Sequence, residues 1–183
     1  MKHPNLFQSY TFNNGVTVSN RLAVAPMTHL ASDDNGHITA EERQFLTDRF
    51  RGIGLFISAA TLVHEGGKAF YGQPEAIGPE DLPSLREVAR IAHDQGAKAL
   101  LQIHHGGWQS IPELNPNGEI FAPSEHPETG AKALTEAQIL SIIDGYGRAA
   151  ELALEAGFDG VEIHGANNYL IQQFFSAQSN RRT

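Results

Sequence analysis

Three side chains near the end of the chain, His164, Asn167 and Tyr169, place two hydrogen-bond donors and a weak acid just past the strand-like segment VEIH. An imidazole and a carboxamide aimed at one carbonyl oxygen stabilise negative charge developing there, and a phenol beside them can deliver a proton to a neighbouring carbon. Each residue also has a plainer reading. A histidine at a strand end is often a satisfied rim residue, Asn167 could cap a short helix starting near Asn168, and Tyr169 with Leu170 could plug a barrel mouth. Gln102, at the end of an earlier apolar run, could serve a site or bond a neighbouring strand end.

The elements that must position these groups follow one repeated order. Thr39 to Arg51 opens with a capping-box pattern, Thr39 followed by Glu42, and stops at Gly52 before the apolar run IGLFISAA. Asp81 to Gln95 carries a proline in its first turn and apolar positions at helical spacing, then stops at Gly96 before AKALLQI. Leu134 to Ala156 opens on Thr135 and Gln138, a second box, and stops at Gly157 before FDGVEI. With the strand Arg21 to Pro26, this predicts four parallel strands joined by three helices, preceded by a small hairpin around Asn14-Gly15. An open doubly wound sheet and a (β/α)8 barrel both fit that repetition. No strand runs into a G-x-G-x-x-G turn, whereas every strand ends in small or polar residues, such as Met27-Thr28, Ala60-Thr61, Gln102 and His164. That rim is where a barrel builds its site, so the expected fold is α/β of the TIM-barrel type, one domain over 1–183, with 1–20 as a hairpin plug and 21–183 as βα units. The Pro- and Gly-rich stretch Asn115 to Gly130 reads as a loop over the mouth.

Composition removes several classes of function. The 183 residues contain no cysteine, which excludes a disulfide, a thiolate nucleophile and Cys-ligated metal within them. Thirteen basic against 21 acidic residues give a net charge of −8, which argues against nucleic acid or an anionic membrane as principal partner. No apolar run reaches the ~20 residues of a membrane span and the start lacks a signal-peptide core, so the expected location is cytoplasmic. His104, His105 and His164 invite a zinc reading, but adjacent strand residues face opposite ways, so no metal site is expected.

Along its whole length, from NRLAVAPMTH through ISAAT, ALLQIHHGG and FAPSE to AGFDGVEIHGANNYLIQQFFSAQSNRRT, the chain resembles the old yellow enzyme family of FMN-dependent oxidoreductases. The resemblance implies a TIM barrel with FMN at its mouth, reduced by NADH or NADPH and reoxidised by an activated alkene such as an α,β-unsaturated carbonyl compound. Position by position, it implies that Pro26, Met27 and Thr28 lie against the flavin, Ala60 beside its polar edge and Gln102 at its pyrimidine end. His164 and Asn167 resemble the pair that holds the substrate's activating oxygen, His164 also touching the cofactor, and Tyr169 resembles the proton donor. By residue type alone Met27 is as much a core residue as a flavin contact. Trp108 stands where many members have arginine and His104 where some have tryptophan, so substrate preference stays open; Thr28, where another branch has cysteine, implies a hydroxyl contact in place of a thiol that could tune the flavin potential.

A complete barrel takes ~250 residues. The chain is therefore expected to be a piece of a longer enzyme, lacking the cofactor's phosphate loops, or else a half-barrel that pairs with a second copy. A catalytically incomplete half-barrel that folds or self-associates without flavin is the alternative function.

Overall fold

The computed structural model describes residues 3–183. Four parallel strand positions lie side by side in chain order: β3 (Ala23–Val24), then β4 (Leu55–Ile57) with its continuation β5 (Thr61–Leu62), then β6 (Lys98–His104), then β9 (Gly160–Ile163). Helices α1 (Ala40–Leu46), α2 (Leu82–Asp94) and α3 (Glu136–Ala156) connect them, and α4 (Leu170–Phe175) follows β9. An antiparallel hairpin, β1 (Tyr10–Thr11) and β2 (Thr17–Val18), precedes β3. Its turn closes by Phe12 N donating to Val16 O at 2.8 Å, with Gly15 at φ +86°, the left-handed position such a turn demands.

β6 shows how the strands sort their two faces. Ala99, Leu101 and Ile103 are buried toward the helices, where Phe50, Phe56, Ala92, Ala149, Ala153 and Phe158 complete the main core. Gln102 and His104 alternate with them and face the other side, as period-two geometry requires. Alanines at 92, 149 and 153 are fully buried, which lets α2 and α3 approach the sheet closely.

The second strand is interrupted. Between the pairs Ile57↔Leu100 and Thr61↔Ile103 it advances one residue more than β6, a bulge at Ser58 to Ala60. The Ser58 hydroxyl fills the gap in the ladder by accepting from Gln102 N at 2.9 Å, which fixes the backbone beneath the Gln102 side chain.

Three expectations need correction. The first helix ends at Leu46 rather than running to Arg51, because the Thr47 hydroxyl donates to Arg43 O at 2.8 Å and Asp48 turns left-handed at φ +63°. Its capping box is half formed: Thr39 Oγ1 accepts from Glu42 N at 3.1 Å, but the Glu42 carboxylate turns inward to accept from Ser32 Oγ at 2.8 Å. The stretch Asn115 to Gly130 is not a plain loop. It contains β7 (Phe121–Ala122), paired in parallel with β8 (Lys132–Ala133), packs against Trp108, and reaches the ends of the second and third strands, where Pro116, Asn117 and Phe121 share a groove with His64 and His105. The box at Thr135 and Gln138 forms in full, and α3 ends at Gly157 with φ +94°.

Candidate active site

A cavity of about 340 Å3 opens at the C-terminal ends of the parallel strands. Pro26 and Thr28 reach it from beyond β3, Ala60 from the bulge, Gln102 from β6, and His164, Asn167 and Tyr169 from the segment after β9. That volume falls within the roughly 300–1,000 Å3 of ligand pockets. Met27, alternating with Pro26 and Thr28, is 64% exposed and belongs to a separate groove with Val24 and Phe45. Seven of the eight residues singled out in the sequence thus meet in one cavity and Met27 does not.

His164 is buried, and its Nδ1 accepts from Ala166 N at 3.4 Å. That bond assigns the proton of the neutral ring to Nε2, leaving Nε2–H as a donor. Burial lowers its pKa, with the Glu162 carboxylate acting in the opposite direction, so the ring is neutral at neutral pH. Asn167 has a left-handed backbone at φ +53° and Asn168 follows at φ +62°, so the chain reverses between His164 and Tyr169. The reversal makes Tyr169, not Asn167, the N-cap of α4. The Tyr169 ring stands edge-on to His164 at 4.9 Å, His104 at 4.4 Å and Phe70 at 6.0 Å between centroids. Burial pushes its hydroxyl pKa above the ordinary 10.0, so the phenol holds its proton at neutral pH.

Gln102 is 5% exposed, and its amide makes one long contact, Nε2 to Glu162 Oε2 at 3.5 Å. Its donor and acceptor are otherwise unspent among the described residues. Ala60 is held from behind by Gln73, whose Oε1 accepts from Ala69 N at 2.9 Å and whose Nε2 donates to Ala60 O at 3.1 Å. The same Nε2 donates to His104 Nδ1 at 3.1 Å. His104 therefore carries its proton on Nε2, and burial, with His164 and His105 nearby, lowers its pKa to about 3.

The sequence reading did not single out Glu162, Phe70 or Gln73 as site residues. Glu162 was detectable, because a carboxylate two residues before His164 in a short strand must share its face. Phe70 and Gln73 lie in an irregular segment and carry no periodic signal. His105 faces away from His104, toward His64 at 6.0 Å between ring centroids, and its Nδ1 accepts from Gly107 N at 3.1 Å. No cluster of three or more metal-ligating side chains occurs among the described residues.

An uncommitted amide at Gln102, a hydroxyl at Thr28 and an imidazole N–H at His164 suit the edge of a planar ring that alternates acceptors and donors. Among the described residues no lysine or arginine lines the cavity, so the set fits a flavin ring and offers nothing for a cofactor phosphate.

Strands in chain order, helices outside and a polar cavity at the strand ends define a barrel-type α/β protein with its site at the mouth. The chain belongs to the NADH:flavin oxidoreductase / NADH oxidase family, which it matches over residues 5–183. It is 46% identical over 185 residues to the probable NADH-dependent flavin oxidoreductase YqiG of Bacillus subtilis (strain 168), covering all of this chain and 50% of that protein. It is 36% identical to the probable flavin mononucleotide-dependent alkene reductase of Leishmania infantum, covering 92% of this chain and 51% of the relative. The crystal structure of Old Yellow Enzyme from Pichia sp. AKU4542 superposes with a TM-score of 0.90 at 25% identity, over 98% of this chain and 50% of that one. The chain thus spans about half the length of these relatives, and its fold is the corresponding part of a TIM barrel. No helix among the described residues is long and apolar enough to cross a membrane.

Proposed function

We propose that this chain carries the substrate-activating part of an FMN-dependent oxidoreductase that uses NADH or NADPH to reduce activated alkenes, with Tyr169 as proton donor. The observation that carries this reading is the convergence of His164, Asn167 and Tyr169 on the cavity that Thr28, Ala60 and Gln102 also line. When bound, FMN supplies a hydride to the β-carbon of an α,β-unsaturated carbonyl compound. Thr28, Ala60 and Gln102 would hold its ring edge. His164 Nε2–H and the Asn167 carboxamide donate to the substrate's carbonyl oxygen, where negative charge accumulates, and donors placed in advance at such an oxygen stabilise it by roughly 2.7–4 kcal/mol each. Tyr169 then gives its hydroxyl proton to the α-carbon, a role suited to an acid that stays protonated at neutral pH. Phe70 and His104 hold the Tyr169 ring edge-on beside that transfer.

The test is reduction of an α,β-unsaturated ketone by the flavin-loaded protein in D2O with dioxygen excluded, since oxygen would itself reoxidise reduced flavin. The product should carry one deuterium, on the carbon α to the carbonyl, and consumption of NADH or NADPH should require both FMN and the alkene. A protein that binds no FMN, or whose coenzyme oxidation ignores the alkene, contradicts the proposal.

A second reading, a half-barrel that associates without flavin, is favoured by one observation. Beside α3 and β9 lies a wholly apolar groove of about 340 Å3 that includes Ile143, Ile163 and Phe174, with Ile143 and Ile163 each 58% exposed. A colourless dimer in solution would support it.

A further inference from the structure

We propose that Gln173, a fully buried amide of α4 outside the cavity, is the positioning residue that holds Asn167 in its donating geometry; this rests on the reading of Asn167 as a substrate donor. The side chain is 0% exposed and every polar atom is committed. Its Oε1 accepts from Trp108 N at 3.3 Å, and its Nε2 donates to Asn168 O at 2.7 Å and to Gly106 O at 3.3 Å. One amide therefore ties the segment after β6 to the left-handed pair after β9. Gln109 adds a second tie, donating from Nε2 to Asn167 O at 2.8 Å. Two consecutive non-glycine residues at positive φ persist only where surrounding contacts over-determine them. Space is reserved for this amide as well: Gly107 sits at φ +61°, and a Cβ there would collide with Gln173 Oε1 and Nε2.

The consequence is a division of labour. Asn167 touches substrate, while Gln173 touches only backbone and sets where the carboxamide stands. A misplacement of ~1 Å at a reacting group costs about 10²-fold in rate.

Two variants of the full chain test this. Gln173→Leu removes both donated bonds. It should lose the backbone carbon-13 shifts diagnostic of positive φ at Asn167 and Asn168, and slow alkene reduction by about 10²-fold while flavin reduction by NADH or NADPH is spared. Gln173→Glu is nearly isosteric and its carboxyl can donate only when protonated. Its alkene rate relative to the unsubstituted protein should therefore recover as pH falls from about 8 to about 5, since burial raises a carboxyl pKa. A residue that merely supports the fold would lower the melting temperature in both variants and leave the rate per folded, flavin-loaded molecule and its pH ratio flat. That result, with left-handed shifts retained in Gln173→Leu or, should that variant not fold, in Gln173→Glu at pH 8, overturns the proposal. If the unsubstituted protein reduces no alkene, the reading of the site falls, and the backbone shifts still decide the positioning role.

Discussion

His164 owes its usefulness to a backbone bond. Because Ala166 N donates to Nδ1, the proton sits on Nε2, and because burial lowers the ring's pKa, that proton belongs to a neutral donor rather than an imidazolium. His164→Ala or Asn167→Ala should each lower the alkene-reduction rate by about 10²–10³-fold, measured as single-turnover reoxidation of reduced flavin. As the proposed proton donor, Tyr169 should set the alkaline side of the pH profile. Its pKa is raised above 10.0 by burial, so the proton-donating form persists past that value and the alkaline limb should fall only above pH 10. A limb well below that pH would assign the proton to another group. At this scale the sequence was legible where one motif brought several polar side chains to a single cavity, as in the segment from His164 to Tyr169. Met27 lies in a separate groove, and residue type and neighbourhood in the chain do not reveal which side of a short strand faces the cavity. Gln73 and Gln173 were invisible as hubs because each also bonds backbone remote in sequence, Ala60 for Gln73 and Gly106 and Trp108 for Gln173.

The strand-to-helix repeats were readable from glycine stops and capping residues, and the four strand positions follow them closely. What periodicity could not supply was the bulge at Ser58 to Ala60, which depends on a side-chain hydroxyl replacing a ladder bond to Gln102. The short α1 and the folded-back stretch around β7 were missed for a related reason: local side-chain bonds and packing on Trp108 override propensity. Gly107 gives this scale its prediction. Gly107→Ala combines a left-handed φ with a collision against the Gln173 amide, so it should destabilise the chain by about 1–3 kcal/mol or more. Urea unfolding checks this, and an unchanged midpoint would show that the two loops have room to separate.

For the whole molecule, buried imidazoles set the acid limit. His104 and His105 both have folded pKa values of about 3, lowered chiefly by burial from the ordinary 6.5 of a solvated imidazole. Between those values the unfolded chain binds protons that the folded chain refuses. Their contribution to stability is therefore whole above pH 6.5 and shrinks as pH falls toward 3, by at most about 1.4 kcal/mol per pH unit for each ring. Glu42 and Glu75, raised by burial, act with the opposite sign, so the assignment comes from comparing the urea midpoint of His105→Gln with that of the unsubstituted protein. The substituted chain should lose less stability on acidification, and parallel curves would exclude His105 as a cause.

The most direct measurement is stopped-flow comparison of the two half-reactions in flavin-loaded Tyr169→Phe. Flavin reduction by NADH or NADPH should proceed at nearly the unsubstituted rate, while reoxidation by an α,β-unsaturated ketone slows by about 10²–10⁴-fold. Equal slowing of both steps, or of neither, would contradict the assignment of Tyr169 as proton donor in a cavity shared with His164 and Asn167.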